Sequence, residues 1–184
     1  TPQEEIILPI DSISRGLLTI TEVSLDHLPT IGGKAANFAE LNEIEGVSIP
    51  TPENAFAIPM YHYLNHLRSH GIDSLIHSIL SDSLFQTDIN HRKAQLSLIQ
   101  ERIKSAPIAP EIVLQVQSRL HHFEDFDAYR FRSSTNAEDL EFFSGAGLYD
   151  SFSAKKGHET KTVENAIKKV WASLWNWRAY EERA

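Results

Sequence analysis

Tyr129, Arg130, Phe131 and Arg132 alternate aromatic with arginine and run directly into the small polar series Ser133, Ser134, Thr135 and Asn136. A period of two is a strand, so Tyr129 and Phe131 share one face while the two arginines share the other. One face packs and the other presents cations. Further along, Gly145, Ala146 and Gly147 supply backbone with little side chain to obstruct a ligand, a composition suited to the close approach of an anion such as a phosphate. A second short strand is expected over residues 150–154, which makes the whole stretch from 129 to 152 a hairpin-like platform. A loop of this composition met in isolation reads first as an ordinary hairpin with a polar turn.

The chain of 184 residues is long enough for one folded unit with a sizeable core, and its 41% hydrophobic content is that of a globular protein. Its net charge of -8, from 17 basic and 25 acidic side chains, argues against a general nucleic-acid binder, which shows a basic excess. Any bound anion must meet a local cluster of cations. With no cysteine, disulfides and thiolate metal sites are excluded. No apolar run reaches the length needed to span a bilayer, and TPQEEIILPI lacks the pattern of a signal peptide. No membrane partner and a cytoplasmic location are expected. The absence of an initial methionine, and an end at YEERA within a helical pattern, suggest a piece of a longer protein.

Residues 1–30 mix short apolar groups with Pro9 and polar turns and read as an extended lead-in. Gly32 and Gly33 then precede Ala35, Ala36, Phe38, Ala39, Leu41 and Ile44, an apolar pattern for a helix ending near Gly46. Lys34 falls in its first turn. A helix N-terminus with a lysine beside it suits a phosphate, yet GGK is not a Walker A motif, and on spacing alone Lys34 reads as a solvated lysine. A strand is expected over residues 55–58, and Pro59 then starts a helix that buries Met60, Tyr63, Leu64 and Leu67. Helical patterns continue through Leu96, Ile99 and Ile103 and through Ile112, Val116 and Leu120, giving a helical bundle or cap. His62, His66 and His70 recur every four residues. They read as a polar stripe on an exposed helix face, with no metal assigned, because no H-E-x-x-H pattern accompanies them. Val163, Ile167, Val170, Trp171, Leu174 and Trp175 form a broad apolar stripe of a last helix, with the tryptophans in the core.

RSSTNAEDL followed by SGAGLYDSF, preceded by IGGKAANFAELNEI at 31–44 and followed by VENAIKKVWASLWNWRA at 163–179, resembles the nucleotide-binding domain of phosphoenolpyruvate synthase and its relatives. These include pyruvate phosphate dikinase, the glucan water dikinases and rifampicin phosphotransferase. The resemblance covers residues 28–60 and 128–184. It implies the first subdomain of an ATP-grasp-like domain. The corresponding fold is α+β in two layers, an antiparallel sheet with packed helices, a helical insertion over 60–127 and the glycine-loop platform and helix over 128–184.

In this family Mg-ATP is cleaved and a phosphate passes to a histidine on another domain, then to pyruvate, a glucan or an antibiotic. The resemblance makes Lys34 and Arg132 phosphate ligands that converge on the loop of Gly145, Ala146 and Gly147, whose backbone covers the phosphates. Ser133 and Ser134 either hydrogen-bond phosphate or tie the turn. Glu138 and Asp139 are read as structural, with Asp139 capping a turn or pairing with an arginine. Glu141, Phe142 and Phe143 stand where many relatives carry proline or small residues. ATP is the implied cofactor. Magnesium ligands and the adenine pocket are expected on a second ATP-grasp subdomain, and the phosphohistidine domain is the other expected partner. The piece alone is expected to be inactive. The alternatives are a catalytically inactive binding or interaction module of the same fold, and the nucleotide domain of a glucan- or rifampicin-directed enzyme.

Overall fold

A computed structural model describes residues 8–41, 54–123, 126–136, 139–140, 143–144 and 148–183, with 139–140 and 143–144 described by backbone alone. In chain order the elements begin with β1 (Leu18–Thr19), α1 (Leu28–Ile31), α2 (Gly33–Glu40), β2 (Phe56–Ala57) and α3 (Met60–Ser69). Four helices follow: α4 (Ile72–Leu80), α5 (Ser83–Thr87), α6 (Ile89–Ser105) and α7 (Pro110–His121). Then come β3 (Ala128–Phe131), β4 (Asp139–Leu140), β5 (Phe143–Ser144), β6 (Phe152–Lys155), α8 (Val163–Ser173) and α9 (Trp177–Glu181). The fold is α+β, and every strand pair among the described residues is antiparallel: β1 with β2, β3 with β6 and β4 with β5. Among the described residues no helix is long and apolar enough to cross a membrane.

The chain divides into two units, Thr1–His62 with Ser134–Ser144, and Tyr63–Ser133 with Gly145–Ala184. In the first, Ile20, Val23, Ile31, Ala39 and Ala57 form a small core flanked by Leu18, Ala35 and Phe38. In the second, α6 packs on α8, α5 and α4, and α8 packs on α7 and on the β3–β6 ribbon. The helical periodicity lands where it is expected: Leu96, Ile99 and Ile103 of α6, Ile112 and Val116 of α7 and Ile167 of α8 are all at most 2% exposed. Side chains close the helix starts. Asp88 accepts from the His91 N–H, and Thr162 accepts from the Asn165 N–H, satisfying donors that have no intrahelical partner. On β3 the alternation is also as expected, with Tyr129 and Phe131 half-buried and Arg130 exposed. The Tyr129 hydroxyl donates to the Phe123 carbonyl at 2.9 Å and ties the strand to the segment after α7.

Two expectations need correction. The apolar stripe over 163–179 is not one helix, because α8 ends at Ser173 and α9 begins at Trp177 across an extended Asn176. Groups distant in sequence hold the break. The Arg183 guanidinium donates to the Leu174 carbonyl, the Gln100 amide donates to the Trp175 carbonyl, and the Asn176 amide donates to Asp150.

Nor are His62 and His66 on an exposed face: they are 5% and 3% exposed. The reason is that each Nε2 is within hydrogen-bond distance of a backbone carbonyl, of Arg15 at 2.7 Å and of Ile103 at 3.0 Å respectively. His70 alone of the three is exposed. The His66 ring also packs on Trp171, with centroids 5.1 Å apart. Its Nδ1 is buried with no hydrogen-bond partner among the described residues.

Burial pushes the His66 pKa down, reinforced by the nearby His70 and Lys168 and opposed by the Ile103 carbonyl. The folded state therefore refuses a proton that the unfolded chain accepts below about pH 6.5. This contribution to stability is complete above that pH and is lost as pH falls. Urea unfolding followed by tryptophan fluorescence reads the second unit, which holds Trp171, Trp175 and Trp177. Its free energy should fall between pH 6.5 and 5.5 by up to about 1.4 kcal/mol per pH unit for this one proton. His66→Gln retains an N–H donor and cannot titrate, so the slope should flatten. An unchanged slope would rule His66 out as the source.

Candidate functional site

In the first unit, the start of α2 docks on the end of the arginine–serine–serine run and the residue after it. The Gly33 N–H donates to the Thr135 carbonyl at 2.9 Å, and the Ala35 N–H donates to the Ser134 hydroxyl at 2.9 Å. Ser134 is thus a helix cap delivered from 99 positions away, filling the role that an N-cap side chain normally plays locally. Gly32 makes the approach possible. Its φ of 82° and ψ of 165° belong to a region that only glycine occupies readily. A Cβ there would stand 2.5 Å from the Ser134 carbonyl carbon and 2.7 Å from the Thr135 nitrogen.

The junction is braced on its other side. Asp11 accepts from the Ile13 and Ser14 N–H groups and from the Thr30 hydroxyl at 2.9 Å, while its own N–H donates to the Pro29 carbonyl. The Ser14 side chain, those two N–H groups and Thr30 hold its carboxyl well below the usual carboxylate range. The Asn136 amide donates to the Pro9 carbonyl at 3.1 Å. The backbone around α1 and the start of α2 is therefore fixed from both flanks, and Lys34 stands exposed at the second helical position. Two donors of the first turn, Gly33 and Ala35, are engaged by the protein itself. What this helix start offers an anion is its positive dipole end and the adjacent Lys34 ammonium.

In the second unit, Arg132 is exposed immediately after β3, and Ser133 is 5% exposed. Ser134, the next residue, is half-buried. Gly145, Ala146 and Gly147 lie outside the described residues, as do Glu138, Glu141 and Phe142. Lys34 and Arg132 fall in different units. Of the implied phosphate set, the described contacts join the GGK segment to Ser134.

The family model for the pyruvate phosphate dikinase AMP/ATP-binding domain matches residues 28–184. The chain belongs to that family. Among curated relatives, it is 31% identical over 169 residues to rifampicin phosphotransferase of Bacillus cereus, covering 91% of this chain and 18% of that protein. It is 29% identical over 174 residues to phosphoenolpyruvate synthase of Aeropyrum pernix, covering 92% of this chain and 20% of that protein. Against phosphoenolpyruvate synthase of Escherichia coli the identity is 26% over 171 residues, covering 91% of this chain and 21% of that protein. The chain thus spans about a fifth of the length of these relatives.

For this member of the pyruvate phosphate dikinase AMP/ATP-binding family, three contributors to the junction escaped sequence reading. Gly32 was visible only as half of a glycine pair. Thr135 stands out in the sequence only as part of a small polar run, and its contribution to the junction is a carbonyl. Asp11 sits in a segment that reads as an unremarkable lead-in, and its partner Thr30 lies 19 positions away. The signal that existed was the glycine pair directly before a helix, which marks a place where backbone meets backbone.

Proposed function

We propose that this chain is the ATP-binding portion of a phosphoenolpyruvate synthase- or pyruvate phosphate dikinase-like phosphotransferase. It holds the phosphates of ATP for transfer to a histidine on another domain of a longer protein. The observation that carries the reading is the docking of Gly33 and Ala35 on Thr135 and Ser134. This contact joins the glycine–glycine–lysine segment to the arginine–serine–serine segment, two of those on which the family resemblance rests.

Lys34, exposed on a start of α2 that is held on both flanks, supplies one full charge to a phosphate with little ordering to lose on binding. Arg132, exposed and two positions before Ser134 in the chain, supplies a planar fork of donors suited to phosphate oxygens. Ser133 belongs to the same set. The backbone of Gly145, Ala146 and Gly147 covers the phosphates. Bound ATP supplies the transferred group, and the chain fixes its geometry and neutralises its developing charge, the main tasks in phosphoryl transfer. Magnesium belongs to the same proposal with ligands from elsewhere. Among the described residues no group of three His, Asp or Glu side chains is placed to share an ion. Both named kinds of relative match about nine-tenths of this chain, so the proposal is confined to the ATP half of the reaction.

Held by a few exposed charge-assisted contacts, each worth about 1.5 to 3 kcal/mol before ordering costs, Mg-ATP should bind the 184-residue chain nearer millimolar than micromolar. An amide NMR titration should move the resonances of Lys34 and Ser134 and those around Arg132. Lys34→Ala should reduce the shifts. A titration that leaves these residues unmoved would overturn the assignment, and micromolar affinity or nucleotide turnover would show a complete site within the chain.

A further inference from the structure

A second cationic feature lies wholly within the second unit and involves neither Lys34 nor Arg132. Arg130, Lys161 and Lys169, with Ser151, Ser153 and Thr160, line a groove of about 220 Å³, and no carboxylate is among its lining residues. In a chain whose net charge is -8, three cations without an acid around so small a space stand out against the surrounding surface. Three different elements deliver them: β3, the turn before α8, and the second turn of α8.

Each cation has a stated anchor. Arg130 donates to the Ser153 hydroxyl at 3.2 Å, directly across the β3–β6 register. The backbone of Lys161 is held twice, its carbonyl accepting from the Lys155 N–H at 2.8 Å and its N–H donating to His158 Nδ1 at 3.3 Å. The Lys169 ammonium stands 5.9 Å from the centre of the Phe152 ring. All three residues are exposed, so their charge remains available to a ligand. Like charges held around one small space repel one another, and an anion among them relieves that repulsion.

From this arrangement we infer that the groove binds a small oxyanion carrying two negative charges, of sulfate or phosphate size. Size and chemistry both limit the ligand. Drug-sized ligands occupy cavities of roughly 300 to 1,000 Å³, above the volume here. The hydroxyls of Ser151 and Thr160 supply neutral donors beside the three cations, and the guanidinium of Arg130 offers paired donors to adjacent oxygens.

Sodium sulfate is the cleanest probe, since its charge is fixed and it does not chelate metals. In an amide NMR titration of the 184-residue chain, sulfate should move resonances of residues 151–153, 160–165 and 169 beyond their movement in sodium chloride of equal ionic strength. The Lys161→Gln, Lys169→Gln double variant should weaken this binding at least tenfold. Both residues are exposed, so the unfolding transition should stay in place, and Arg130→Gln gives an independent second reading. Shifts no larger than those in chloride, or shifts that survive the double variant, would overturn the site.

Discussion

A Gly32→Ala variant should lose on the order of 2 to 6 kcal/mol of stability in the first unit, a large effect for one methyl group. Two costs coincide at this position. A φ of 82° with ψ of 165° is strained for any residue with a Cβ, costing about 1 to 3 kcal/mol. The new atom would also fall on the Ser134–Thr135 backbone, which cannot swing aside as a flexible side chain does, and such overpacking costs about 1 to 3 kcal/mol more. Gly71→Ala is the matched control. Its φ is 64°, but nothing lies within 4 Å of the added carbon, so only the left-handed backbone cost of about 1 to 2 kcal/mol applies. Hydrogen exchange of the Ala35, Ala36 and Ala39 amides reads the cost at Gly32 in the first unit, and urea unfolding followed by tryptophan fluorescence reads the cost at Gly71 in the second. Equal costs for the two variants would mean that the close approach at Gly32 is not maintained in solution.

Periodicity located the buried faces of α6, α7 and α8 because each is decided by residues three and four apart, within the reach of a pattern. The alternation of β3 was legible for the same reason. His62 and His66 were not, because what makes a buried imidazole acceptable is a carbonyl 47 or 37 positions away, and carbonyls leave no mark on a sequence. The break at Asn176 has the same origin: Arg183, Gln100 and Asp150 take the polar groups at the end of α8. Lys168 interrupts an otherwise apolar stripe and is nonetheless 8% exposed, with its ammonium on Glu164 and near the Ala106 carbonyl. At the candidate site, the residue types pointed to phosphate through family resemblance. The role of Ser134 as a cap on α2 emerged only once residues 99 positions apart were placed together.

Arg132→Ala, made in the full-length protein, should separate rate from stability. The residue is exposed just past the end of β3, and an exposed side chain away from the core typically changes stability by no more than about 0.5 kcal/mol. If the guanidinium meets the reacting phosphates, its removal deprives the transition state of a charge-assisted contact worth about 2 to 4 kcal/mol. That corresponds to phosphoryl transfer roughly 30- to 900-fold slower at an almost unchanged unfolding midpoint. Arg132→Lys should recover only part of the rate, because an ammonium supplies the charge without the planar fork. Ser134→Ala provides the opposite contrast two positions later. It removes the acceptor for the Ala35 N–H, so about 1 kcal/mol of stability should go with the cap. Single-turnover measurements alongside urea unfolding distinguish these cases, and a folded Arg132→Ala protein that turns over at the wild-type rate would remove Arg132 from the phosphate-holding set.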